Sequence, residues 1–306
     1  MTTSPRVVFF GNERLVSGLG HTDCPLLSGL IAHGYTVVAV VVNHHDTSSR
    51  TKRPLEVAQI AAQHNIPVLS PQRPVDIEQE LRDLSADFAV LSAYGRIIPS
   101  RIINVFSPIG IINIHPSLLP RHRGSTPIET TILAGDHTAG VSIMQLAPGM
   151  DDGPLYAQSD ISLTGNETKF ELYEQLSRLG SETLFKILPD VISGILLPKS
   201  QPIDGVSYTT TISKSDGSID PASETASEIE RKVRAYLVYP KSKLRFRDKD
   251  VIITSSKVID RPLPNQLCVP CKENSTLLVE SLIAPNGKHM SGEAYLRGLA
   301  NRAKDR

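Results

Sequence analysis

Short apolar runs alternate with stretches of helical spacing along the first half of the chain. The apolar runs predict strands over 6–11, 35–43, 66–71, 88–95 and 109–115. The intervening spacing predicts helices over 23–34, 56–65 and 76–84. Continuous β-branched runs that alternate with helices are typical of a parallel sheet that is buried on both faces. We therefore expect an α/β fold with a doubly wound, mostly parallel sheet.

The pattern changes near residue 196. Segment 196–212 is rich in Pro, Ser, Gly and Asp, which is typical of a linker. After it, the pattern predicts one helix over 222–237 and several short strands separated by turn residues. Short strands of this kind indicate a small β-barrel or sandwich. The predicted domains are therefore 1–195 and 213–306, joined by a linker at 196–212.

Charge is balanced over the whole chain but not within it. The 306 residues include 32 Lys and Arg against 32 Asp and Glu. Residues 200–306 hold 17 basic and 13 acidic residues, and in 231–249 the only acid is Asp248. The basic run has two interpretations: a solvated helix end and strand face, or a patch that contacts phosphates.

The cellular setting follows from what the sequence lacks. The sequence begins without the apolar core of a signal peptide and without a presequence. No window approaches the ~18 apolar residues of a membrane helix. We therefore expect a soluble, cytoplasmic protein. Three cysteines are too few for a disulfide framework. Cys268 and Cys271 form a single CxxC, which we interpret as a surface turn rather than a zinc or redox site. No metal is expected.

Polar side chains that follow the apolar runs are the candidates for chemistry, because ligands bind beyond the carboxyl ends of parallel strands. Asn113 and His115 end the run 109–115, and strand alternation points both side chains the same way. A carboxamide can donate a hydrogen bond to a developing oxyanion, and an imidazole can donate or carry a proton. Pro116 restricts His115 to an extended conformation. The simpler alternative is a loop histidine beside a turn asparagine.

A second signal is GMDDG at 149–153, after the strand-like run 141–146. Its position could bring a carboxylate to the same cleft, although a glycine-flanked acidic turn is often only a hairpin. Asn, His and Asp together would suit acyl transfer without a side-chain nucleophile. The sequence has no GxSxG, no GxxxxGK[ST] and no GxGxxG, so it offers no support for a serine nucleophile or for nucleotide binding.

The run 113–155, NIHPSLLPRHRG through GMDDGPL, resembles the most characteristic region of the folate-dependent formyltransferases. The resemblance implies that Asn113, His115 and Asp151, rather than Asp152, are the catalytic residues. It implies formyl transfer from 10-formyltetrahydrofolate to an amine through a tetrahedral intermediate, without a covalent enzyme adduct. His122 is expected to lie on the surface. The residues that the resemblance assigns to the folate pocket are Ser117, Leu118, Leu119, Pro120, Arg121 and Gly124 in one loop and Tyr94, Gly95 and Arg96 across from it.

Weaker similarity at 52–72, 207–220 and 286–298 points to the members of the family that formylate methionyl initiator tRNA and carry an OB-like second domain. The sequence departs from the family in its first loop, Asn12–Gly18, and in a short loop at 43–53. We expect a monomer. The residues that the resemblance and the basic run together assign to tRNA are Arg50, Lys52, Arg53, Arg231, Lys232, Arg234, Lys241, Lys243 and Arg245.

Two alternatives stay open. A formyltransferase that acts on an amino sugar nucleotide would share residues 113–155 and differ in its acceptor. A folate-binding or tRNA-binding module without catalysis would require the trio to be broken, and all three residues are present.

Overall fold

The computed structural model describes residues 4–43 and 55–304, which divide into two compact units. Three segments of the chain form the first unit, and three others form the second. The first unit comprises Met1–Pro127, Thr138–Ser162 and Tyr173–Thr210. The second comprises Ile128–His137, Leu163–Leu172 and Thr211–Arg306.

Among the described residues, seven strands and six α-helices precede residue 195. In chain order they are β1 (Arg6–Gly11), α1 (Pro25–Ala32), β2 (Thr36–Val41), α2 (Glu56–Gln63), β3 (Val68–Leu69), α3 (Glu78–Asp83), β4 (Phe88–Ser92), α4 (Ser100–Ile103), β5 (Ile111–His115), α5 (Pro127–Ala134), β6 (Thr138–Gln145), β7 (Leu155–Ser162) and α6 (Lys169–Ile192).

The seven strands form one sheet in the order β3-β2-β1-β4-β5-β6-β7. The first five are parallel, whereas β6 is antiparallel to β5 and pairs with β7 as a hairpin. The prediction of an α/β fold with a mostly parallel sheet is therefore confirmed, and the sheet is mixed. Burial alternates along the second half of β7, as expected for an edge strand with one solvated face.

Alternate residues of the central strands enter two separate cores. Val7 and Phe9 of β1 pack with apolar residues of α1, α2 and α6. Val8 and Phe10 pack with Leu81 of α3 and with residues of α4. Because successive side chains of a strand point to opposite faces, helices cover both faces of the sheet, as predicted.

The second unit is built around a six-stranded sheet. Its later elements are β8 (Ser218–Ile219), α7 (Ala226–Ala235), β9 (Ser242–Phe246), β10 (Lys249–Ile259), β11 (Cys268–Pro270), β12 (Thr276–Ile283), β13 (His289–Ser291) and α8 (Gly292–Lys304). The strands run in the order β11-β12-β10-β9-β8, with β13 also paired to β12. Among the described residues no pairing joins the two ends of this order, so the structure shows a β-rich unit and not a closed barrel.

Residues 196–210, which the composition predicted to be a linker, fall within the first unit. Segments 128–137 and 163–172 fall within the second. The domain boundaries at 195 and 213 remain predictions.

Candidate functional site

Strand β5 delivers Asn113 and His115 to the carboxyl end of the parallel part of the sheet. All five residues of the strand are buried, and Asn113 pairs with Leu91 on one side and Met144 on the other. The two polar side chains lie on one face, about 6.6 Å apart along the strand at ~3.3 Å per residue. They are fixed by strands on both sides, so they belong to a rigid part of the molecule.

The Asn113 side chain is buried but unused. The residue is 6% exposed, and in the described part of the chain its carboxamide has no hydrogen-bond partner. Such a group is expected where a ligand will supply the missing hydrogen bond.

His115 is held through one ring nitrogen and leaves the other free for chemistry. Its Nε2 lies 3.0 Å from the carbonyl oxygen of His122. Because a carbonyl oxygen only accepts hydrogen bonds, Nε2 carries the proton and donates it. Nδ1 then faces the Asp151 carboxylate, with 3.7 Å between Nδ1 and Oδ2.

His122 is not a surface residue, contrary to the prediction. It is 6% exposed, and its φ of 60° turns the backbone so that its carbonyl meets the His115 ring. The sequence predicted a solvated side chain for His122. The structure uses the backbone of His122 to orient His115.

Asp151 reaches the site by a route that the strand pattern did not suggest. Because β6 is antiparallel to β5, the turn after β6 does not follow the carboxyl end of a parallel strand. The β6–β7 connection instead folds back, and the Asp151 carboxylate accepts the backbone N–H of Gly124 at 2.8 Å. Its side chain is 18% exposed.

The glycines of GMDDG allow this turn. A Cβ on Gly153 would stand 1.9 Å from the Gln145 carbonyl oxygen, and one on Gly149 would stand 2.1 Å from the Asp152 carboxylate. Asp152 therefore packs over Gly149, while Asp151 is the acid that faces His115. The turn is indeed the connection of a hairpin, as the simpler alternative held, and it also carries a carboxylate to the cleft.

Side chains of β6 and β7 hold the loop that follows His115. The buried Ser142 hydroxyl donates to the Ser117 carbonyl oxygen at 2.7 Å and accepts the Leu119 N–H at 3.0 Å. Gln158 donates to the Leu119 carbonyl oxygen and to Ser142, each at 2.8 Å. The Ser117 hydroxyl donates to the Arg121 carbonyl oxygen.

The predicted folate-pocket residues are thus of two kinds. Ser117 and Leu119 are 2% exposed and support the loop. Arg121 is exposed, and the others of this loop are half-buried, namely Leu118, Pro120 and Gly124.

The segment after β4 carries the remaining predicted folate residues. Tyr94 is 2% exposed, and its hydroxyl has no hydrogen-bond partner among the described residues. Burial raises the pKa of that hydroxyl. Gly95 has a φ of 72°, and Arg96 donates to the Asn43 carboxamide oxygen at 2.6 Å. Beside them Ile97 is 84% exposed.

The first loop, in which the sequence departs from the family, holds a buried acid. Glu13 is 1% exposed, and its two carboxylate oxygens accept the N–H groups of Leu26 and Leu27 at the start of α1. Burial raises the pKa of Glu13 to about 7, although these two hydrogen bonds act to lower it. Nearby, Arg14 forms a bidentate ion pair with Glu56.

The basic residues predicted to contact tRNA fall into two groups in the second unit. On α7 these residues bind groups of the second unit itself. Arg231 donates to the Leu133 carbonyl oxygen at 3.0 Å, and Lys232 pairs with Glu224. Arg234, the third residue of this helix group, pairs with Glu230 at 2.6 Å and donates to the Glu167 carbonyl oxygen.

On β9 the cations face outward. Lys243 and Arg245 lie on one side of the strand and are exposed, and Lys241, just before it, is half-buried. Arg245 makes only an exposed contact with Asp250, at 3.3 Å. The prediction for Arg50, Lys52 and Arg53 lies outside the described residues.

The cysteine pair differs from its prediction. Cys268 begins strand β11, and Cys271 is 9% exposed, so the CxxC is an edge strand with one buried thiol rather than a surface turn. Both are free thiols. Within residues 4–43 and 55–304, no group of three His, Cys, Asp or Glu side chains converges on a potential metal position. In the same ranges no helix is long and apolar enough to span a membrane.

Several supporting residues could not be found from the sequence. Gln158 and Gln201 contact the site from positions outside the run 113–155, and Ser142 does so from a position inside that run to which no role was assigned. Gln201 donates to the carbonyl oxygens of Asp151 and Gly153 although it lies in a segment with linker composition. Only the fold brings such residues to the loops that they hold.

Comparisons with known proteins agree with this geometry. The formyl transferase family model matches residues 13–188, and the model of the formyl transferase C-terminal domain matches residues 211–300. A protein of Chloroflexus aggregans named methionyl-tRNA formyltransferase is 36% identical over 292 residues, which cover 89% of this chain and 93% of the relative.

Two solved structures share the fold at low identity. An N-formyltransferase from Helicobacter canadensis, in complex with folinic acid and dTDP-3-aminofucose, has a TM-score of 0.66 at 17% identity over 90% of this chain and 99% of that one. HypX from Aquifex aeolicus in complex with tetrahydrofolic acid has a TM-score of 0.64 at 14% identity over 96% of this chain, which spans 47% of HypX. The chain belongs to the formyl transferase family, in the group of the methionyl-tRNA formyltransferases.

Proposed function

We propose that this protein transfers the formyl group of 10-formyltetrahydrofolate to the α-amino group of methionyl initiator tRNA. The observation that carries the proposal is the placement of Asn113 on the same strand face as His115, whose Nδ1 faces Asp151, with no hydrogen bond recorded for the Asn113 carboxamide among the described residues. The relative named methionyl-tRNA formyltransferase, similar along both parts of the chain, supports the choice of acceptor.

The three side chains divide the work of acyl transfer. The amine nitrogen attacks the formyl carbon, and the carbonyl electron pair moves to its oxygen. Asn113, and His115 through Nδ1 when that nitrogen is protonated, donate hydrogen bonds to this oxygen as it becomes negative. Asp151 accepts the proton that the attacking nitrogen must lose, and its hydrogen bond from Gly124 fixes the direction from which it does so.

Collapse of the tetrahedral intermediate then breaks the bond from the formyl carbon to the folate nitrogen, which takes up a proton. No enzyme side chain forms a covalent bond, because Asn113, His115 and Asp151 act only as hydrogen-bond donors and proton acceptors.

The predicted folate pocket has features that suit a flat, polar heterocycle. The Tyr94 hydroxyl is buried without a partner among the described residues, so a ligand donor or acceptor can complete it. Ile97 and Met150 expose apolar surface, 84% and 61% of their areas, beside the two segments assigned to the pocket. These residues would bind and orient the folate, which supplies the activated formyl group.

For the tRNA backbone we propose the outward-facing cations of β9 and its start, Lys241, Lys243 and Arg245. The residues of α7 are already paired within the second unit, so we assign Arg231, Lys232 and Arg234 a structural role. Phosphate contacts of this kind weaken steeply with salt.

Several finer predictions stay part of this proposal. They are an OB-like barrel in the second domain, boundaries at 195 and 213, a monomer, a cytoplasmic location and no metal requirement. For the barrel, the second unit offers the antiparallel strands β9, β10, β11, β12 and β13, whose described pairings do not close.

The test is a formylation assay with the purified full chain, 10-formyltetrahydrofolate and one of two acceptors, methionyl initiator tRNA or dTDP-3-aminofucose. We expect product with the tRNA only. Asn113→Ala should lower kcat about 10²–10³-fold, the usual effect of losing one oxyanion donor.

Because no hydrogen bond is recorded for the Asn113 carboxamide among the described residues, the same change should leave the protein folded, with a thermal unfolding transition that is still cooperative. Asn301→Ala, on an exposed face of α8, is the matched control and should change neither quantity. Product with the sugar nucleotide alone would refute the acceptor, and full activity of Asn113→Ala would refute the site.

A further inference from the structure

The segment Lys199–Thr210 returns to the candidate site instead of leaving it. At one end Lys199 and Leu155 exchange two backbone hydrogen bonds of 2.8 and 2.7 Å, next to the Asp151 turn. At the other end the Ser207 carbonyl oxygen accepts the Arg123 N–H at 2.9 Å, and the Thr209 N–H donates to Arg123 at 2.7 Å. We call Lys199–Thr210 the strap, because it is paired with both loops that carry the site.

Between these two anchors Gln201 connects the loops through its side chain. Its Nε2 donates to the carbonyl oxygens of Asp151 at 2.7 Å and Gly153 at 2.8 Å. Its Oε1 accepts from Nε and Nη2 of Arg123, at 3.1 and 2.7 Å. Both amide protons and the amide oxygen are therefore in use.

The two loops also meet at the catalytic carboxylate. Asp151 accepts the Gly124 N–H, and Gly124 directly follows Arg123. Gln201 fixes the peptide groups of the acidic turn on one side and the Arg123 guanidinium on the other. The backbone of Asp151 has a φ of 48°, in the left-handed region that a non-glycine residue adopts at a cost, so the turn depends on external contacts to keep it.

We propose that Gln201 is a positioning residue for formyl transfer. It sets the peptide planes on both sides of the acidic turn, and through them the direction of the Asp151 carboxylate relative to His115 Nδ1 and the incoming amine. This inference rests on the proposed function, because positioning is defined by the reaction that Asp151 serves.

The test compares two substitutions that separate positioning from stability. Gln201→Met keeps the length of the side chain and removes all four hydrogen bonds. Gln201→Glu keeps the acceptor for Arg123 and turns it into an ion pair, but it loses both donors to the acidic turn and faces two carbonyl oxygens with a negative charge. Ser200→Ala, the neighbouring position in the strap, is the matched control.

Both Gln201 variants should lose kcat on the order of 100-fold, the effect of a displacement of about 1 Å in a reacting group. The KM values for both substrates should stay within a factor of about three, since the change is confined to the reacting step. Gln201→Glu should lower the unfolding temperature less than Gln201→Met does, because only the glutamate keeps a link to Arg123. Ser200→Ala should match the unchanged protein in every quantity.

A second measurement tests whether Gln201 acts through Asp151. In an Asp151→Asn background, Gln201→Met should cost less than about threefold in kcat, because the group that it positions has already been lost. Multiplicative effects of the two changes would overturn the inference, as would Gln201→Glu with unchanged kcat. If the unchanged protein formylates no methionyl-tRNA, both the proposed function and this inference are refuted. If the protein is active but its activity is insensitive to Gln201, only this inference is refuted.

Discussion

The buried carboxyl of Glu13 gives the fold a dependence on pH that one substitution should remove. Glu13 is 1% exposed, and its carboxylate accepts hydrogen bonds from the N–H groups of Leu26 and Leu27. Burial penalises the charged form more than these bonds favour it, so the pKa of Glu13 rises from 4.5 to about 7. The neutral form is therefore favoured in the folded protein.

The sign and size of this pH dependence follow from the difference in proton binding between the folded and unfolded states. A carboxyl whose folded pKa is raised contributes stability that is fully present below pH 4.5 and is lost as the pH rises through 7. The difference between the two pKa values corresponds to about 3 kcal/mol, at ~1.4 kcal/mol for each tenfold change in proton affinity. Glu13→Gln has nearly the same volume and cannot ionise, so it avoids this loss.

The assay is urea unfolding of the unchanged protein and of Glu13→Gln at several values between pH 4.5 and 8, followed on the transition of the first unit. We expect the stability of Glu13→Gln, relative to the unchanged protein at the same pH, to increase by about 3 kcal/mol across that range and then to level off. Comparison at equal pH cancels the other titrating groups. Parallel curves for Glu13→Gln and the unchanged protein would refute the reasoning.

Three further outcomes are expected. Lys169→Met leaves Glu129 buried without its counter-ion, now 3.9 Å away, and should lower the free energy of unfolding of the second unit by about 3–5 kcal/mol in a urea titration. Lys243→Ala should reduce the slope of log affinity for tRNA against log salt concentration by about 1 in a fluorescence titration, whereas Arg234→Ala should lower stability and leave that slope unchanged. Gly153→Ala places a Cβ 1.9 Å from a carbonyl oxygen of β6 and should cost about 1–3 kcal/mol in thermal unfolding, together with a loss of formylation.

Part of the site could be predicted because local chain geometry determines it. The alternation of β5 and the proline after it place Asn113 and His115 on one face, whatever the rest of the fold does. The parallel core could be predicted for the same reason, since each strand was visible as an apolar run. The long helix α6 was not among the predicted helices, although Leu172, Leu176 and Leu184 recur on its buried side.

Other parts depend on pairings between distant segments, which spacing does not reveal. Nothing in the run 141–146 shows that β6 reverses direction, so the route of Asp151 to the cleft could not be derived. For the basic residues of α7, charge alone did not identify the protein groups with which they pair. The partner of Arg231 is a carbonyl oxygen of α5, 98 residues earlier in the chain, and that of Arg234 includes a carbonyl oxygen 67 residues earlier.

Whether a polar side chain already has hydrogen-bond partners in the protein distinguishes the residues that support the site from those that face substrate. Ser117 was predicted to bind folate, but its proton is donated to the Arg121 carbonyl oxygen, and Gln201 uses its whole amide on protein groups. Among the described residues no hydrogen bond is recorded for the Asn113 carboxamide, and the buried Tyr94 hydroxyl has no partner. Buried polar atoms without a partner also occur away from the site, at Glu129, Ser256 and Tyr295, so the place of Asn113 beside His115 on β5, and not the lack of a partner alone, marks it as a residue that faces substrate. Ser117→Ala should therefore loosen the loop and raise its hydrogen exchange, while removal of the Tyr94 hydroxyl in Tyr94→Phe should weaken folate binding and leave the loop unchanged.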